Sequence, residues 1–244
     1  MTGIPIEVQL IAVAVLFYLY DATVMLSAHE GLAIAVGRRS WRIVYRPNTV
    51  ALRGRLAYVP APILPHRPVF KLRWSATALS VRDDTDWNAL RNKYRPLVPF
   101  VYGAAVALFV VLPGVLFAYR SDLRLLCVAA AIYLDALAAG VIVIRNTQRF
   151  GLTRRKAWST AVECLLCPPF TINLVRRLSL NEHVDASLAA VGRGLLAPDA
   201  WNRLRLQLIE IQDEYIEDAE PGQTHAALVQ VRAALAKDND RDGR

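Results

Sequence analysis

Residues 97–119 and 125–144 are two apolar runs separated only by Arg120, Ser121, Asp122, Leu123 and Arg124. They are 23 and 20 residues long and hold a single charged residue, Asp135. At about 1.5 Å of helix rise per residue, each matches the roughly 30 Å hydrocarbon core of a bilayer. Two helices joined by so short a polar link run antiparallel, so the stretch predicts a transmembrane hairpin. With 55% hydrophobic and 20% charged residues in 244, the chain has more apolar residues than a soluble domain of this size needs.

A further apolar segment, residues 4–28, precedes the hairpin. Between residues 8 and 28 its one charged group is Asp21. A cleaved signal peptide calls for a basic start, whereas residues 1–9 contain only Glu7 and the first Lys or Arg of the chain is Arg38. The segment is therefore expected to stay as a third span. Basic residues orient the three: Arg38, Arg39 and Arg42 follow the first, Arg91, Lys93 and Arg95 precede the second, and Arg145, Arg149, Arg154, Arg155 and Lys156 follow the third. Short basic flanks remain cytoplasmic. The expected fold is a mostly α membrane protein with three transmembrane helices, N-out and C-in, at residues 4–28, 97–119 and 125–144. Its expected location is the inner, cytoplasmic membrane of a bacterium, multi-pass, with the soluble parts mainly inside.

The loop 29–96 carries thirteen of the 29 Lys and Arg residues. Trp41, Ile43 and Tyr45 alternate with Arg42, Val44 and Arg46, a strand period. Residues 50–59 read as a second strand, with Arg53 and Arg55 about Gly54. Phe70, Leu72, Trp74 and Ala76 alternate with Lys71, Arg73 and Ser75. A small cytoplasmic antiparallel β subdomain follows, with one packed face and one basic face made of Arg42, Arg46, Arg53, Arg55, Lys71 and Arg73. Such a face suits anionic lipid head groups first and a protein partner second. Nucleic acid is disfavoured, because no recognition-helix, RNP or zinc-finger spacing accompanies the charge.

Asp135 falls midway along its span. A carboxylate at that depth costs about 2.5–3.5 kcal/mol on insertion scales, so it calls for a hydrogen bond, a neutral form or a counter-charge. Tyr18 and Tyr20 of the first span are candidate donors, and Asp21 is a second acid nearer the cytoplasmic side. Structural glue between helices, contact with a partner subunit and an ion pathway are the readings, in that order. Pro113-Gly114 in the second span is a tolerated kink or a hinge.

Residues 157–179 form a fourth apolar stretch, broken by Glu163 and Pro168-Pro169, too short on either side to span. An interfacial or re-entrant helix is expected, anchored by Trp158 and flanking arginines. Cys164 and Cys167 are a C-x-x-C pair whose redox or metal use is disfavoured: no second ligand pair supplies a zinc site and no βαβ pattern surrounds them. Neither a metal nor a cofactor is expected. The remainder, 182–237, is a cytoplasmic helical tail in which Leu204, Leu208, Ile211 and Tyr215 share a face. Its acidic far end is a candidate to meet the basic sheet. Residues 238–244 are expected to be disordered.

No hydrolase elbow, P-loop or dinucleotide fingerprint occurs. The pattern points to a non-catalytic inner-membrane subunit or scaffold, working with a protein partner or as a homo-oligomer. The alternatives are an interfacial membrane enzyme using Glu163, the cysteines or His66, and an oligomeric channel or transporter component using Asp135.

Overall fold

The structure, a computed structural model, describes residues 5–37, 40–47, 51–52, 54–76, 85–118, 121–184 and 186–237. It is mostly helical with two small three-stranded sheets. The chain divides into two compact units. The first comprises residues 1–24, 59–68 and 87–182, and the second residues 25–58, 69–86 and 183–244.

The first unit begins with helix α1, Ile6–Ala22. This is shorter than the segment 4–28 suggests. Thr23 is extended, and strand β1, Val24–Leu26, takes the residues beyond. At 17 residues the helix is about 25 Å long, so α1 counts as a shorter apolar helix. Among the described residues two helices are long and apolar enough to cross a membrane, Trp87–Phe117 and Asp122–Arg145, and only 17% and 28% of their apolar windows are buried. A helix in the core of a soluble protein would be mostly covered. Here Val110, Phe117, Leu126 and Leu134 are exposed.

The first long helix is built from α2 (Trp87–Lys93), a 3-10 turn at Arg95–Leu97, α3 (Val98–Val106), a π-helical segment at Ala107–Val111 and α4 (Leu112–Ala118). The π segment has a local cause. Pro113 offers no N–H to the carbonyl four residues back, and its ring crowds that carbonyl. Widening the preceding turn accommodates both without breaking the helix. Helix α5, Asp122–Arg145, buries Ile132, Ala136, Ala139, Gly140 and Val143 along one stripe. Gly151, at φ 65°, takes the left-handed backbone that turns the chain into α6, Arg154–Leu166.

Helix α6 lies against α5. A Cβ on Gly140 would sit 3.0 Å from Ala161 Cβ, so the two backbones approach closely there. Cys167-Pro168 ends α6. The short α7, Pro169–Ile172, packs on α1 and α3, and α8, Leu174–Leu180, continues beside α3. Ile172 joins Tyr18, Ala104, Leu108, Val128 and Ile132 in one apolar cluster. The expected single element 157–179 is thus three helices, the break falling at the two prolines.

In the second unit, strands β2 (Glu30–Ala35), β3 (Trp41–Tyr45) and β6 (Val69–Arg73) form an antiparallel sheet in the order β3-β2-β6. The other sheet has the order β1-β5-β4, where β4 is Ala51–Leu52 and β5 is Arg55–Tyr58. The central strand β2 was hidden in the sequence, because Gly31–Ala35 is a continuous apolar run. Such a run marks a strand buried on both faces and shows no alternation. Its register pairs Gly31 with Tyr45 and Leu72, and Ala33 with Ile43 and Phe70. Small residues in the middle strand leave room for aromatics from its neighbours. Trp41 and Phe70 rings stand 6.0 Å apart, and Tyr45 meets Trp74 edge-on at 6.5 Å.

Three helices complete this unit: α9 (Leu188–Leu195), α10 (Pro198–Asp218) and α11 (Gln223–Lys237). Leu204, Leu208 and Ile211 of α10 and Leu228, Val231 and Leu235 of α11 are buried. Gln212, fully buried, donates to the carbonyls of Ala76 (2.7 Å) and Leu228 (2.9 Å). Residues 238–244 lie outside the described residues.

Candidate functional site

Four charged side chains of the first unit, Asp21, Glu163, Arg176 and Arg177, come together where α1, α6, α8 and the loop 59–68 meet. Arg177 on α8 pairs through Nη2 with Glu163 on α6, and its Nε lies 3.7 Å from Asp21 Oδ1 on α1. The guanidinium also covers the Phe170 ring at 5.0 Å. Arg176, 2% exposed, donates to Asn173 Oδ1 (3.2 Å) and to the Ala61 carbonyl. Asn173 in turn donates to the Tyr18 carbonyl at 3.0 Å, and the Tyr18 hydroxyl donates to the Pro62 carbonyl. Ala61 holds φ 38°, which a residue with a side chain rarely adopts. The bonds accepted by carbonyls 61 and 62 hold that turn in place. Two arginines and two carboxylates therefore balance inside an otherwise apolar bundle.

Electrostatics follow from these contacts. The Glu163 carboxylate, besides pairing with Arg177, accepts from the Ser159 hydroxyl at 2.9 Å. Cys164 is fully buried, a setting that disfavours the thiolate. That is the opposite of what a nucleophile or metal ligand needs. Cys164 and Cys167 are free thiols, and among the described residues no three His, Cys, Asp or Glu side chains are grouped to hold a metal. His66 stacks on Tyr102 with centroids 4.6 Å apart. Its burial, then Arg67, Arg176 and Arg91, lower its pKa and favour the neutral ring.

The residues singled out from sequence fall in different places. Asp21 and Tyr18 enter the charged cluster, while Tyr20 is 78% exposed. Neither tyrosine is shown bonded to Asp135. Asp135 lies instead against Gly103 of α3: a Cβ there would stand 2.7 Å from Oδ1. Its Oδ2 is buried with no hydrogen-bond partner among the described residues.

The expected single basic face is not formed: Arg42, Lys71 and Arg73 lie on one side of the β3-β2-β6 sheet with Arg46 just beyond β3, whereas Arg55 belongs to β5 in the other sheet. On that side of the β3-β2-β6 sheet Leu32, Ile34 and Val69 are buried among the cations. Lys71 lies 3.6 Å from Glu30, and Arg46 pairs with Glu214 at 2.8 Å. Arg46 leaves the strand at φ 38° and also reaches the Tyr215 hydroxyl at 3.3 Å. Through Arg46, just past β3, the acidic end of α10 meets the edge of this sheet. Arg42, Arg55 and Arg73 are exposed, and Arg53 lies outside the described residues.

Sequence reading missed Arg176 and Arg177, which served only as a basic flank. The signal was present as an acid at the end of one apolar helix and adjacent arginines within another apolar run, groups that must find each other when water is excluded. No protein family, curated protein or solved structure matches this chain.

Proposed function

We propose that the chain is a non-catalytic integral membrane subunit or scaffold, with its sheet-and-helix unit inside the cell. The observation that carries this reading is the uncovered apolar surface of the two long helices. Patches of that size on a water-soluble monomer would drive association, whereas lipid covers them at no cost. Helix α1 is the third crossing, and the basic residues flanking the spans put the N-terminus outside. In a bilayer, α6, α7 and α8 form a re-entrant hairpin. Irregular backbone at depth is tolerated where protein surrounds it, and here α1, α3 and α5 do so.

A structural role fits the charged cluster better than a catalytic one. Arg177 is held between two carboxylates and Arg176 by a carbonyl and an amide, so their donors fasten the hairpin to α1 and to the loop 59–68. The unmet Oδ2 of Asp135 favours a second reading, in which a neighbouring copy or partner helix contacts that segment, as in an oligomeric channel or transporter component. Purification of tagged protein in mild detergent is the test. A stoichiometric partner or a defined oligomer is expected. Asp135→Leu should abolish it, while leaving the protein in the membrane, only if the second reading holds. A lone monomer from every detergent tried would refute both.

A further inference from the structure

Between α2 and the turn joining α5 to α6 lies an open groove of about 400 Å³, lined by Ala89, Leu90, Asn92, Lys93 and Arg149. Arg149 is fixed along it: Nε donates to the Lys93 carbonyl (3.0 Å) and Nη2 to the Asn92 carbonyl (2.9 Å). Lys93 is itself engaged by Glu182, which also accepts from the Tyr94 hydroxyl at 2.9 Å. Arg145, Arg154, Arg155 and Lys156 are exposed on and beside the same turn. No Asp or Glu occurs between Asp135 and Glu163, and the acid that reaches the turn, Glu182, is engaged by Lys93, which leaves Arg145, Arg149, Arg154, Arg155 and Lys156 in excess. Trp158, exposed at the start of α6, is the residue type that seats at head-group depth.

We infer that this groove seats the head group of an anionic phospholipid. The inference rests on the membrane reading above. A guanidinium recognises phosphate through paired, charge-assisted bonds, and the Ala89 and Leu90 side chains give the glycerol end of the lipid an apolar bed. A zwitterionic lipid brings its own cation to a place where five already stand on the turn and the helix ends that flank it, and is disfavoured. The lipid-facing charge is thereby placed on the helical unit rather than on the sheet.

Native mass spectrometry of the full chain, titrated with phosphatidylglycerol and with phosphatidylcholine of the same acyl chains, tests this. The anionic lipid should be retained about tenfold better. Each cation near an anionic head group is worth about fivefold. Arg149→Gln should therefore lower phosphatidylglycerol retention about fivefold, and the triple variant Arg154→Gln, Arg155→Gln, Lys156→Gln about tenfold, down to the level of phosphatidylcholine, whose retention is unchanged. The triple variant keeps the test sound if Arg149→Gln loosens α2. Equal retention of the two lipids, unchanged retention in the triple variant, or displacement by millimolar inorganic phosphate would overturn the proposal. Alkaline carbonate extraction separates the two ideas. Release of wild-type protein from membranes defeats the membrane reading, whereas firm retention with no lipid preference defeats the groove alone.

Discussion

Replacing Arg177 with leucine is expected to destabilise the helical unit by about 3 kcal/mol. The arginine lies between Asp21 and Glu163, whose side chains are 13% and 34% exposed. Its removal leaves two carboxylates facing each other with no cation between them. Breaking a buried pair costs about 3–5 kcal/mol, and the partial exposure of Glu163 places this case at the low end. Adding Asp21→Asn and Glu163→Gln to the leucine variant removes the stranded charges and should recover most of the loss. Thermal unfolding in detergent, read by circular dichroism, checks both steps. A single variant as stable as wild type, or a triple variant no better than the single, would mean that the cluster does not fasten the hairpin.

Gly31→Val should cost the sheet-and-helix unit about 3 kcal/mol. A Cβ at this position would stand 2.1 Å from Leu188 Cδ1 and 3.1 Å from the Val44 carbonyl oxygen. Leu188 is fully buried, so it has little room to retreat. Shortening the obstructing side chain relieves the clash, and the two changes should therefore not add: Gly31→Val with Leu188→Ala should be more stable than the sum of the single losses. Tryptophan fluorescence during urea unfolding reports on this, since Trp74 meets Tyr45, the residue paired with Gly31, and Trp41 packs on Phe70 in the same sheet. Additive losses would show that α9 does not lie on the central strand.

How much of this was legible in the sequence varies by element. The two long apolar helices were plain from length and absence of charge. The spacing of Leu204, Leu208 and Ile211 placed them on one face, and all three are buried. The central strand was not legible, because its apolar run merges with the hydrophobic segment before it and carries no alternation. The end of α1 was misplaced for the same reason: hydrophobicity continues through Val24 and Leu26, although the backbone has already turned to strand. Alternation correctly separated Lys71 from Phe70, but it could not tell that Leu32, Ile34 and Val69 fill the middle of the basic side. Period reveals which residues share a face, whereas what covers that face depends on distant segments. The Arg177 cluster joins residues 21, 163 and 177, and the sequence shows the need for a counter-charge without showing where it is met.

The most direct measurement of sidedness uses single cysteines in a chain whose Cys127, Cys164 and Cys167 have been replaced by serine. Ser121→Cys lies in the link between the two long helices, and Arg73→Cys at the end of β6 in the other unit. In intact cells treated with a membrane-impermeant maleimide, Ser121→Cys should label, and Arg73→Cys should label only after lysis. Labelling of Arg73→Cys in intact cells would contradict the account.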